Sequence, residues 1–208
     1  MHPWTAVLCG FAGLGVGFAA ASLTTPYRGV PSRRDRLAMA VATGVAFGLL
    51  GMRLGAGLEL LAFAYLGAVG VPASFVDAAV RRLPDPFTLP SYAVGAALLG
   101  LAAARAGFLP YLHALIGMAA LWAFYFVSHL SVSRAIGMGD VKFSGVIGLY
   151  LGWCGAKTWM LGAGTAYVLG ALFGVLLITV GRAGRRTTVP FGPFMFAGAL
   201  TGIVLTGG

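Results

Sequence analysis

Long apolar runs separated by short polar segments dominate the pattern of this chain. Most of the runs approach the roughly 20 mainly apolar residues that an α-helix needs to cross a bilayer. The pattern therefore predicts an all-α membrane protein with about eight transmembrane helices. The runs lie at about residues 4–24, 37–52, 54–76, 87–104, 108–130, 141–153, 158–180 and 191–206.

The composition agrees with a membrane protein and excludes a water-soluble one. Of the 208 residues, 59% are apolar and 9% are charged, whereas soluble domains carry roughly 25% charged residues. No linker or polar domain interrupts the pattern. We expect one integral membrane domain over residues 1–208, with a first helix at about 4–24 and core helices over about 37–206.

The basic residues predict the orientation. Fourteen Lys and Arg face five Asp and Glu, for a net charge of +9. The basic residues form no stripe with interleaved aromatic residues, so we expect no nucleic-acid partner. If both termini lie outside, the outer turns hold only Arg53, Arg105 and Lys157, which agrees with the positive-inside rule. The cytoplasmic loops then hold Arg28, Arg33, Arg34, Arg36, Arg81, Arg82, Arg134, Lys142, Arg182, Arg185 and Arg186.

The run at 141–153 is too short to cross a bilayer by itself. Either the segment before it enters the protein below the headgroups, or the membrane is thin there. Irregular backbone at that depth is tolerated where it is buried in protein or lines a wet cavity. We therefore expect a wet cavity on the cytoplasmic side.

Two of the five acidic residues stand out by their position. Asp77 ends the third run and Asp140 opens the sixth, and the orientation places both on the cytoplasmic side. Asp35 lies among arginines, which is typical of a solvated loop residue. Glu59 lies about one turn inside the outer end of the third run, where it can reach the interface.

The pair Asp77 and Asp140 suggests acid–base chemistry. Two nearby carboxylates do not both ionise readily, so one keeps a proton while the other acts as a base. The base takes a proton from water and the acid donates to the attacked carbonyl oxygen, which is aspartyl proteolysis. The alternatives are that Asp140 only caps a helix, that the pair serves a proton-coupled transporter, or that the chain is a non-catalytic assembly scaffold.

Three motifs then resemble the type IV prepilin peptidases, membrane aspartyl proteases of the GxGD kind. In the first, Asp77 is followed by Pro84-Asp85 and then by Thr88-Leu89-Pro90. The second is GMGDVK at 137–142, followed by Gly148 and LGW at 151–153. The third is VPFGPF at 189–194. The resemblance covers roughly residues 30–205.

The resemblance implies roles for residues of the three motifs. Asp77 and Asp140 become the catalytic aspartates, and Asp85 a neighbouring structural or substrate-orienting residue. Lys142 tunes the charge of Asp140 or holds the loop. The family cleaves the short basic leader of prepilin-like proteins, such as pilins and pseudopilins, at the cytoplasmic face. The other residues expected to shape the site are Pro84, Thr88, Gly137, Gly139, Pro190, Phe191, Gly192 and Pro193.

The sequence also departs from the longer members of that family. Many of them carry a cytoplasmic zinc domain with two CxxC pairs after the first helix and also methylate the new N-terminus. Here that loop spans residues 25–36 and contains no cysteine. We expect a peptidase without N-methyltransferase activity, resembling the short branch found with Flp/Tad-type and archaeal systems. The presenilin branch is disfavoured, because Val76 precedes Asp77 where that branch has tyrosine.

The sequence offers no set of residues for a cofactor or a metal. Cys9 and Cys154 are the only cysteines, and the histidines lie at no ligand spacing from carboxylates. The partners we expect are a prepilin-like substrate and membrane lipids. Because both the leader and the cytoplasmic loops are basic, we expect anionic lipids, or Asp77, Asp85 and Asp140, to attract the substrate.

Overall fold

The computed structural model describes residues 2–131, 136–181 and 189–207, and all of its regular elements within these ranges are helices. A single 3₁₀ turn, Ala21–Thr24, joins the first two helices. The helices are α1 (Pro3–Ala20), α2 (Thr25–Arg28), α3 (Arg33–Leu54), α4 (Leu58–Val80), α5 (Asp85–Ala106), α6 (Phe108–Ser131), α7 (Met138–Trp153), α8 (Ala156–Thr179) and α9 (Gly192–Thr206).

The predicted all-α fold is confirmed, and eight long helices match the eight apolar runs. Several of them begin earlier than the hydrophobic pattern predicts, because polar residues form the first turn. The first turn of α3 is closed by Ser32 and Asp35, whose side chains each bond to the backbone N–H of the other. For the same reason, Asp85 and Asp140 lie inside helices rather than before them.

Six helices in the described part of the chain are long and apolar enough to cross a membrane, two fewer than the runs predict. The short helices are α7, with 16 residues, and α9, with 15. At 1.5 Å per residue, each spans about 22–24 Å, less than the ~30 Å hydrocarbon core. The sequence predicted the shortness of α7 but not that of α9.

The placement of the termini stays a prediction. Four of the arginines on which it depends, Arg134, Arg182, Arg185 and Arg186, lie outside the described residues.

The two aspartate-bearing helices form the centre of the bundle. Every residue of α7 from Phe143 to Trp153 is buried, and α4 is the next most buried helix. Both α5 and α9 pack against α4 and also against α7, so they bridge the two. Direct contact includes the ring of Phe63, which meets the ring of Tyr150 edge-on at 5.2 Å. The central position of α4 and α7 fixes where their aspartates lie.

Glycines allow α6 and α7 to pack with their backbones in contact. A Cβ atom on Gly148 would overlap the carbonyl oxygen of Gly117 and lie 2.9 Å from the Cβ of Leu121. A Cβ on Gly152 would overlap the carbonyl oxygen of His113. Membrane helices commonly use such small residues at close interfaces. The glycines after Asp140 therefore hold α7 in the bundle.

We predict that Gly148→Ala destabilises the protein by about 1–3 kcal/mol, the usual cost of an overpacked core. The added methyl group meets backbone, which cannot rotate away. The matched control is Gly164→Ala in α8, where a Cβ would meet nothing within 4 Å. Unfolding in detergent, followed by circular dichroism, measures both variants. Equal stability of the two variants would contradict the packing described here.

Candidate active site

Asp77 lies on the inner side of α4, one turn before the helix ends. Its side chain is buried, with 3% of the residue exposed. The helix stops because Arg81 adopts a left-handed conformation, φ 55°, while its N–H donates to the Asp77 carbonyl oxygen at 2.7 Å. A left-handed conformation is uncommon for a residue with a Cβ atom. The chain thus turns sharply just after Asp77, toward Leu83 and α5.

The carboxylate of Asp77 is held by the start of α9. The backbone N–H of Gly192, the first residue of that helix, donates to Asp77 Oδ2 at 2.8 Å. The N-terminus of a helix carries unpaired N–H groups and a partial positive charge, which favour an anion. A Cβ on Gly192 would lie 3.0 Å from the same oxygen. Glycine is therefore needed there for space rather than for an unusual φ.

Asp140 lies in the first turn of α7, at a second helix N-terminus. Its Oδ2 accepts the backbone N–H of Gly137 at 3.2 Å, so the carboxylate does help to cap α7. The helix-capping alternative is thus realised in part. The residue is nevertheless only partly exposed, and the charge of Asp77 acts on it. Capping and proximity to Asp77 are both features of this position.

Leu83 joins the three sequence motifs at this end of the bundle. A Cβ on Gly139 would lie 3.0 Å from both the Cβ and the carbonyl oxygen of Leu83. A Cβ on Gly192 would lie 3.3 Å from Leu83 Cδ1. Leu83 itself is buried, with 6% exposed. Its packing between two glycines brings the segments that carry Asp140 and hold Asp77 together.

Asp85 and Lys142 form an ion pair beside the two aspartates. Lys142 Nζ lies 2.7 Å from Asp85 Oδ1, with side chains 31% and 54% exposed. The hydroxyl of Tyr92 donates to the Lys142 carbonyl oxygen at 2.6 Å. Both interactions connect α5 to the first turns of α7. The partner that the structure gives to the Lys142 ammonium is therefore Asp85.

The remaining predicted site residues lie where helices begin. Pro84 precedes α5, and Thr88 is fully buried in that helix, with its hydroxyl 3.4 Å from the Asp85 carbonyl oxygen. Pro190 and Phe191 precede α9, and Pro193 lies in its first turn. These residues define the start of two helices that bridge α4 and α7.

Two tyrosines near Asp140 were not predicted from the sequence. Tyr125 of α6 and Tyr167 of α8 have ring centroids 5.5 Å apart, and Phe191 packs against them at 6.1 and 5.4 Å. The charge of Asp140 acts on both tyrosines. The available signal was a tyrosine with a polar hydroxyl inside each of two apolar runs. We call these three residues the aromatic cluster.

No group of three metal-ligating side chains occurs within the described ranges. Cys9 and Cys154 are both unpaired. The site that the structure assembles thus consists of two carboxylates, backbone N–H groups at two helix ends, one ion pair and the aromatic cluster.

The chain belongs to the type IV leader peptidase family, whose model matches residues 62–180. The matched segment runs from the second turn of α4 to just past the end of α8, and it contains both aspartates. The resemblance found in the sequence motifs is thereby confirmed.

Several curated relatives carry the name prepilin leader peptidase/N-methyltransferase. The protein from Aeromonas salmonicida is 32% identical over 71% of this chain and 50% of its own length. The protein from Dickeya chrysanthemi is 30% identical over 78% and 57%, and that from Bacillus subtilis 29% over 77% and 62%. The chain thus spans about half the length of the first of these relatives. No solved structure matches the chain.

We predict that the Asp85–Lys142 pair contributes little to stability. Exposed ion pairs typically contribute about 0.2–1 kcal/mol, because water screens the charges. A double-mutant cycle of Asp85→Asn and Lys142→Gln should give a coupling within that range, and it should shrink in high salt. Unfolding free energies in detergent provide the measurement. A coupling that is well above this range and indifferent to salt would show a pair shielded from water.

Proposed function

We propose that this protein is an intramembrane aspartyl endopeptidase. Its substrates are type IV prepilin-like precursors, including pilins, pseudopilins and Flp/Tad-type proteins, from which it removes the short basic leader. The observation that carries the proposal is the convergence of Asp77 and Asp140, each bonded to a backbone N–H at a helix N-terminus, at one end of the two central helices. The family and the names of the relatives support the substrate class.

The chemistry follows from two carboxylates at the same end of the bundle, where Leu83 packs against both Gly139 and Gly192. Because double ionisation is unfavourable, the pair holds one shared proton over a range of pH. The ionised member takes a proton from a water molecule, whose oxygen attacks the scissile carbonyl carbon. The protonated member donates to the carbonyl oxygen, which gives a tetrahedral intermediate. The member that took the proton from water passes it to the leaving nitrogen, and the other member takes a proton from a hydroxyl of the intermediate. The C–N bond then breaks, and the pair again holds one proton.

Cleavage takes place at the cytoplasmic face of the cell membrane in this proposal. The distribution of Lys and Arg along the chain supports that orientation through the positive-inside rule. Anionic lipids, which attract basic juxtamembrane segments, help to concentrate the basic leader at the surface. The exposed carboxylate of Asp85 adds a negative group near the site, although Lys142 neutralises part of its charge.

We propose peptidase activity alone. The relatives' names include N-methyltransferase, which runs against this expectation. The loop after the first helix, residues 25–36, however, contains none of the cysteines of the CxxC pairs that accompany the second activity in the longer enzymes. The peptidase proposal rests only on residues that the chain contains.

The transporter and scaffold alternatives have less support. A proton-coupled transporter is expected to place its carboxylates near the middle of the bilayer. Here Asp77 is one turn from the end of α4, and Asp140 is in the first turn of α7. A scaffold has no need for two carboxylates that interact with each other. Both arguments favour the protease.

The decisive experiment is cleavage of a prepilin-like precursor by purified protein, followed by mass spectrometry. We expect wild type to remove the leader, and Asp77→Asn and Asp140→Asn to lose at least about 10²–10⁴-fold in rate, the usual contribution of acid–base catalysis. Asparagine keeps the shape of the side chain and removes its proton chemistry.

The matched control is Glu59→Gln, which removes a carboxylate from the same helix as Asp77. The two residues are about 27 Å apart along α4 at 1.5 Å per residue, so Glu59→Gln should cleave as wild type does. The aspartyl mechanism is wrong if either Asp→Asn variant, shown to be folded, retains the wild-type rate.

A second prediction concerns the N–H group that holds Asp77. Gly192→Ala places a methyl carbon 3.0 Å from Asp77 Oδ2 and should disturb a hydrogen bond to a charged group, which typically contributes about 1.5–3 kcal/mol. We expect the cleavage rate to fall about 10- to 100-fold. Gly174→Ala in α8, where the space is open, should leave the rate unchanged. Equal rates for the two variants would show that the contact does not position Asp77.

A further inference from the structure

The hydroxyl of Tyr167 is excluded from solvent and forms no hydrogen bond of acceptable geometry in the described part of the chain. The hydroxyl of Tyr125 approaches it without reaching such a geometry. A buried polar group without a partner costs free energy, and native proteins contain few of them. A buried hydroxyl without a partner among the described residues, in a ring that packs against the residue before Gly192, therefore requires an explanation.

Phe191 fixes the position of Tyr167 relative to Asp77. Gly170, one turn after Tyr167, leaves room for the ring of Phe191, whose Cε2 would lie 2.5 Å from a Cβ at that position. Phe191 then packs against the Tyr167 ring at 5.4 Å. The next residue is Gly192, whose N–H holds Asp77. The tyrosine ring and the aspartate are thus connected by two adjacent residues.

Tyr167 also lies on the side of the site where Asp140 is. The charge of Asp140 acts on Tyr167 and on Tyr125, which is 1% exposed. The three come from different helices, α6, α7 and α8. A hydroxyl can donate one hydrogen bond and accept others, whereas Phe191 brings only a ring.

We infer that the Tyr167 hydroxyl binds the substrate main chain, donating a hydrogen bond to a carbonyl oxygen next to the scissile bond. The inference rests on the proposed peptidase function and adds a substrate-binding residue to it. The carbonyl groups of a peptide that enters the site lose their hydrogen bonds to water and need a donor to replace them. The Tyr167 hydroxyl is such a donor. The partner that the described residues do not provide is then supplied by the substrate.

The test compares Tyr167→Phe with Tyr150→Phe. The hydroxyl of Tyr150 is likewise buried and without a hydrogen-bond partner among the described residues, but it faces Gly95 and Phe63 in the core, away from the aspartates. Both changes remove one hydroxyl and keep the ring. We expect kcat/KM for leader cleavage to fall about 3- to 10-fold in Tyr167→Phe and to stay at the wild-type value in Tyr150→Phe.

A modified substrate distinguishes direct contact from an indirect effect. Synthetic precursor peptides carry an ester in place of one amide at successive positions beside the scissile bond, which weakens one carbonyl acceptor at a time. At one position the ester should slow wild type and Tyr150→Phe about 3-fold or more. It should not slow Tyr167→Phe further, because the hydrogen bond is already absent. Thermal unfolding of all three proteins should show no loss of stability.

Two outcomes overturn the inference while leaving the proposed function intact. One is a Tyr167→Phe variant as active as wild type, and the other is an equal loss of activity in Tyr167→Phe and Tyr150→Phe. A folded wild-type protein that cleaves no precursor overturns the proposed function instead. These results cannot be confused, because only the last concerns wild type.

Discussion

The hydrogen bond from the Gly192 N–H to Asp77 is the interaction on which the site depends. It joins residues 115 positions apart, at the end of α4 and the start of α9. The bond needs a residue without a Cβ at position 192 and a helix that begins there. Pro190 lies two residues before that start, and Leu83 packs against Gly192 itself. An apolar bundle contains few polar interactions, so one bond at this place determines where a buried charge lies.

Much of the fold could be predicted from the sequence because hydrophobicity in a membrane protein directly reports helix positions. Eight of the helices follow the apolar runs. The positions of Asp77 at the end of one run and of Asp140 at the start of another also distinguish these two residues from the other acidic residues. The start of each helix was less predictable. Residues such as Asp85 and Asp140 are polar, yet they form first turns, where the helix dipole favours acidic side chains.

The tyrosines show what the sequence could not reveal. Tyr125 and Tyr167 lie within apolar runs, where an aromatic residue facing lipid and one facing a polar site look the same. Only the packing of α6 and α8 around α7, with Phe191 between the rings, distinguishes them. The partner of Lys142 was equally hidden. Lys142 lies two residues after Asp140, and that position suggested that it acts on the Asp140 carboxylate. The fold instead brings Asp85, 57 positions away, to the Lys142 ammonium group.

The length of α7 has a consequence for the geometry of the membrane. A helix of about 24 Å, buried from Phe143 to Trp153, is shorter than a ~30 Å hydrocarbon layer. With its C-terminal end at one surface of that layer, its first turn would lie about 6 Å short of the other surface. One additional helical turn before Asp140 would move the start of α7 by about 5 Å along the helix axis. The length of α7 would thus determine how deep in the membrane a peptide bond must lie to reach the two carboxylates.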